Sequence, residues 1–77
     1  MKEKLRQYFE TEKVYIKAGL RNEANIEQVN KICQYAMQRA LGAIDIAQMC
    51  GLDYDTAEKM FYNYCHELER MKPDEMR

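Results

Sequence analysis

Proline and glycine are scarce in this chain. One Pro and three Gly in 77 residues leave little turn punctuation for a hairpin-rich β protein. Long apolar runs are missing too, and none approaches the roughly 18 residues of a membrane-spanning helix. Met1-Lys2-Glu3-Lys4 is charged where a secretory leader would be apolar. The three cysteines, Cys33, Cys50 and Cys65, cannot all pair within one chain and match no disulfide framework. Each falls among helical apolar positions, so buried, reduced thiols of a cytoplasmic protein are expected. An excess of one charge is also lacking: 12 Lys and Arg against 13 Asp and Glu give a net −1.

What is present is 47% hydrophobic and 32% charged, the balance of a compact fold and not of a disordered tail. The expectation is one all-α domain over 1–77, a bundle of about four helices ending in a short polar tail at 72–77. A first helix is predicted from about Lys2 to Ala18. Leu5, Phe9, Ile16 and Leu20 form its stripe, Tyr8 and Tyr15 widen it, and Gly19 closes it in a left-handed conformation with Leu20 folding back towards Tyr15. Asn22 or Asn25 caps a second helix, Asn25 with Gln28 having capping-box spacing. Ile26, Val29, Cys33, Ala36 and Ala40 then recur at helical spacing, flanked by Ile32, Met37 and Leu41, a face wide enough for more than one neighbour.

Gly42 is expected to break that run, leaving a short third helix over about Ala43–Cys50. Gly51-Leu52-Asp53 reads as a turn and Asp53 as the cap of a fourth helix, with Asp55 and Glu58 a second capping pair. Ala57, Met60, Phe61, Tyr64, Leu68 and Met71 keep one face of that helix until Pro73 ends it.

The stretch AIDIAQMCGLDYDTAEKMFY, Ala43 to Tyr62, resembles the helix-turn-helix of bacterial and phage DNA-binding regulators. The likeness rests on Ile46, Ala47, Cys50, Gly51, Leu52, Ala57 and Met60. In that motif a small residue at Ala47 lets the second helix cross closely, Gly51 permits the turn, and the remaining apolar residues fix the angle of the pair. The resemblance implies duplex DNA as partner. Tyr54, Asp55, Glu58, Lys59 and Tyr62 would face the groove, with Thr56 near the phosphates.

The charge distribution runs against that implication. Ala43–Met71 holds six acids against Lys59 and Arg70, a net −4, whereas Met1–Gly42 holds eight bases against five acids, a net +3. DNA affinity comes mainly from cations on phosphate, although carboxylates can accept from cytosine in the major groove. The second reading is a protein-interaction module, of the size of small phage or mobile-element inhibitors of host machinery. There the acidic, Tyr-bearing last helix, through the same residues, docks on a partner. Six Tyr and six Met suit such a surface, or a homodimer interface.

Catalytic chemistry has little support. His66 follows Cys65 directly, and adjacent helical residues point about 100° apart, so the pair can neither share a metal nor form a nucleophilic couple unaided. No phosphate-cradling Gly loop, nucleophile elbow or paired-carboxylate motif appears. No cofactor and no enzymatic activity are expected.

Overall fold

A computed structural model of the chain describes residues 1–21 and 25–72. It contains three helices, α1 (Lys2–Arg21), α2 (Ile26–Met49) and α3 (Tyr54–Met71). The all-α class is as expected, and among the described residues there is no strand. Asn22, Pro73 and the tail beyond it lie outside the described residues.

The predicted third and second helices are one. α2 runs through Gly42 without a break for 24 residues. The reason is that Val29, Cys33, Ala36, Ala40, Ile44 and Ala47 form one continuous buried stripe on either side of the glycine. That packing outweighs a helix penalty of roughly 1 kcal/mol for Gly. Gly19 is likewise helical, since Gly51 is the one glycine with positive φ among the described residues. α1 continues because Leu20, one residue on, belongs to the core. A Cβ on Gly19 would meet the Ile32 side chain at 3.9 Å, an ordinary van der Waals contact. Tyr15, expected to widen the stripe, is exposed, and Tyr8 alone of that pair packs on the core.

The caps follow from side-chain chemistry. Asn25 Oδ1 accepts from the N–H groups of Glu27 and Gln28 at 2.8 and 3.4 Å, and Asp53 Oδ2 accepts from that of Thr56 at 2.9 Å. The Thr56 N–H holds the Asp53 carboxyl below its ordinary pKa. The other end of α2 closes in a Schellman arrangement. The Leu52 N–H reaches back to the Ala47 carbonyl and the Gly51 N–H to that of Gln48, both at 3.0 Å. Gly51 takes the φ of +107° that this turn requires, and Leu52 folds onto the core.

The helices run up, down and up in a body of 40 × 18 × 15 Å. Lys2 lies within electrostatic reach of Asp53 at one end. Cys33 lies within reach of Glu69 and Lys72 at the other. α3 therefore returns alongside α2 as an antiparallel hairpin, with α1 against both. Cross-links in charge repeat this: Arg39 of α2 donates to Glu12 of α1 at 3.1 Å, and Lys13 of α1 pairs with Glu67 of α3.

Alanines set the spacing of the core. Ala36, Ala40, Ala47 and Ala57 are all buried, which lets the helix axes approach. Phe9, Tyr64 and Leu68 then fill the centre. Phe9 stacks on Tyr64 with ring centroids 4.5 Å apart and planes 14° apart. The Tyr64 hydroxyl is buried without a hydrogen-bond partner among the described residues, and burial pushes its pKa far up. An unsatisfied buried hydroxyl costs about 1–3 kcal/mol, whereas the ring is well packed. Tyr64→Phe should therefore leave stability unchanged or raise it by about 1 kcal/mol in urea denaturation. A loss of that size would mean that the phenol has a partner.

A candidate docking cleft between α2 and α3

α1 covers one side of the α2–α3 hairpin, and the opposite side is open. There the C-terminal half of α2 and the N-terminal half of α3 enclose an open cleft of about 240 Å³. α2 contributes Leu41, Ile44, Asp45 and Gln48, and α3 contributes Tyr54, Ala57, Glu58, Phe61 and Tyr62. The floor is core. Ile44 and Ala57 are buried, and Phe61 packs half-buried against the core. The rim is apolar and wet, with Leu41 49%, Tyr54 67% and Tyr62 55% exposed.

Helical geometry explains the grouping. Tyr54, Glu58, Phe61 and Tyr62 recur at intervals that keep them on one side of α3, while Ala57, Tyr64 and Leu68 turn into the bundle. On α2, Leu41, Asp45 and Gln48 occupy the matching edge of the helix, beside Ile44 of the buried stripe.

Asp45 and Glu58 are the charged residues of the cleft, one on each wall. No Lys or Arg lines it.

The residues that the sequence singled out divide into two sets. Tyr54, Glu58 and Tyr62 meet in the cleft. Asp55 and Lys59 are exposed outside it, and Thr56 is half-buried beside its cap. Leu41, Ile44 and Asp45 complete the site from α2, and sequence reasoning missed them as site residues. The signal was present in Leu41, which was counted into the second helix's wide apolar face. In the sequence, an exposed apolar residue at the edge of a buried stripe looks the same as a core residue.

Two of the seven positions behind the helix-turn-helix resemblance do not fix the helix pair, because Ile46 and Cys50 are exposed. Ile46 points off the buried stripe and Cys50 is the C-cap of α2. Ala47 and Ala57 are buried, and Leu52 and Met60 pack against the core.

Two other clefts, of about 180 and 260 Å³, border α1 and share Lys13. The Lys13 ammonium bridges Glu10, at 2.7 Å, and Glu67. Burial opposes its charge, but the two carboxylates outweigh burial and raise its pKa. Their charges are thus already paired within the chain. All three clefts fall below the roughly 300–1,000 Å³ of small-molecule sites. Among the described residues, no group of three His, Cys, Asp or Glu could hold a metal ion, and no helix is long and apolar enough to cross a membrane. The thiols differ in environment. Cys33 is buried and Cys65 half-buried, burial raising the pKa of both, whereas Cys50 is exposed, contrary to the expectation of three buried thiols.

The chain matches no family model, no curated protein and no solved structure.

Proposed function

We propose that this protein is a non-catalytic protein-interaction module that binds its partner in the α2–α3 cleft. The observation that carries this reading is the composition of the cleft: exposed Leu41, Tyr54 and Tyr62 over an apolar floor, with two carboxylates and no cation among the residues that line it. Large aromatic and aliphatic side chains beside a buried floor are where protein interfaces concentrate their energy. The same surface repels phosphate.

Duplex DNA is the second reading. In its favour, Gly51 makes the turn at φ +107°, and Ala47 and Ala57 are buried where the helices meet. In that reading Asp55, Thr56 and Lys59 act with Tyr54, Glu58 and Tyr62, and cations of α1 supply the phosphate contacts.

One pair of measurements separates the two. A tagged full-length chain should retain a discrete protein partner that Leu41→Glu releases, because an interface anchor is worth about 2 kcal/mol or more, close to a thirtyfold loss of affinity. Fluorescence anisotropy with a degenerate duplex should stay flat at about 50 and about 200 mM salt. Steeply salt-dependent DNA binding, unaffected by Leu41→Glu, would replace the interaction reading with the DNA reading.

A further inference from the structure

We infer that the occupant of the α2–α3 cleft is a cationic amphipathic helix of a partner protein, seated as the fourth helix of a bundle. This rests on the cleft being the interaction surface, and it adds the shape and charge of what binds there.

Shape comes first. Both walls of the cleft are helices, and the described residues offer no strand edge to which an extended peptide could add. Tyr54 to Tyr62 and Leu41 to Gln48 each span about two helical turns, roughly 10–13 Å at 1.5 Å per residue. A helix laid in such a trough meets it with side chains at i, i+3 or i+4, and i+7. α1 already fills the equivalent trough on the other side of the hairpin, with Leu5, Phe9, Ile16 and Leu20 at helical spacing. The open trough is also walled by two helices, and no further helix among the described residues fills it.

Charge comes second. Asp45 and Glu58 stand on opposite walls, so a helix between them brings a cation to each or leaves both carboxylates desolvated, which is costly. Lys or Arg can lay an aliphatic stem over Leu41 and Phe61 and keep its charged head at the carboxylates. The exposed rings of Tyr54 and Tyr62 offer the same guanidinium or ammonium a π face. A second copy of this chain, docked cleft to cleft on a two-fold axis, would bring four carboxylates together instead. Charge complementarity therefore selects a basic partner over self-association.

The probe is a synthetic 18-residue helix carrying Leu at i, i+3, i+4 and i+7 flanked by Arg. It is compared with the same helix carrying Glu for Arg, and with an Arg peptide of scrambled order. Each is titrated into the isotopically labelled full-length chain and followed by amide chemical shifts. The expected result is binding of the amphipathic Arg helix at least tenfold tighter than either control. Shifts should be confined to 41–48 and 54–62, and the preference should invert in the D45K/E58K double variant. Asp45 is exposed and Glu58 half-buried, and retention of helicity by circular dichroism checks that the variant folds.

Equal binding of the Arg and Glu helices, with shifts in the cleft, would overturn the cationic assignment and leave the interaction surface standing. Equal binding of ordered and scrambled Arg peptides would overturn the helical assignment in the same way. Shifts elsewhere, or none, would overturn both the assignment and the interaction reading. A concentration-dependent dimer that protects the cleft from the Arg helix would replace the basic partner with a second copy.

Discussion

Phe9→Ala should remove about 3–5 kcal/mol of folding free energy and leave a substantial unfolded fraction at 37 °C. Phe9 is buried among Tyr8, Tyr64 and the residues of α3, and it is the largest side chain with which α1 enters the core. Two terms add. Truncation to Ala loses the transfer free energy of the ring and opens a cavity that stiff helices fill only partly. The stacked contact with Tyr64 contributes roughly 0.5–1.5 kcal/mol beyond its area. At about 0.05–0.15 kcal/mol per residue, 77 residues support roughly 4–12 kcal/mol in total, so one side chain carries a large share. Urea denaturation followed by helicity is the measurement. Tyr15→Ala on the same helix is the control, since Tyr15 is 72% exposed and surface substitutions stay within about 0.5 kcal/mol. A Phe9→Ala loss under about 1 kcal/mol would mean that α1 does not dock through this ring.

This prediction bears on function because α1 and the cleft lie on opposite sides of one hairpin. α1 buries one side of α2 and α3, and the other side can stay open only while that packing holds the pair together. An undocked α1 would expose two apolar troughs where there is one, and the hairpin alone would lack a core. Loss of partner binding in Phe9→Ala therefore reports the scaffold, whereas loss in Leu41→Glu reports the surface.

The parts of the fold legible in the sequence are those where the apolar period is unambiguous. Leu5, Phe9, Ile16 and Leu20 in α1, and Ala57, Tyr64 and Leu68 in α3, lie on the faces their spacing predicts, Asp53 caps α3, and Asn25, one of two candidates, caps α2. The misreading was local. The breaks expected at Gly19 and Gly42 do not occur, because nothing about an isolated glycine says which conformation it takes. The apolar period running past Gly42, through Ile44 and Ala47, was the better guide, because burial of a whole helix face exceeds the propensity of one residue. The site was half legible. Tyr54 and Tyr62 stood out as aromatics off the core face of the last helix. Leu41 and Asp45 did not, because their role depends on which edge of α2 the third helix leaves uncovered, and that is a property of the assembled bundle.

The two glycines give the second large effect, as one substitution with opposite signs. Gly42→Ala should stabilise the chain by about 0.8–1 kcal/mol, since Gly42 is inside a continuous helix and a Cβ there would meet nothing within 4 Å. Gly51→Ala should destabilise it by about 1–3 kcal/mol, although a Cβ there also meets nothing within 4 Å. The difference is conformational. At φ +107° an L side chain is strained whatever the space around it, and the strain falls on the turn whose Leu52 and Gly51 amides close α2. One kcal/mol moves the melting temperature of a domain this small by about 4–8 °C, so the pair should diverge clearly from the parent in thermal denaturation. The same turn brings Tyr54 to the cleft within a few residues of Gln48. Gly51→Ala should thus weaken binding of the cationic helix beyond what stability explains, and Gly42→Ala, one residue from Leu41, should leave it unchanged. Equal melting temperatures for the two variants would mean that Gly51 does not hold the left-handed conformation, and that the turn positioning α3 against α2 has another geometry.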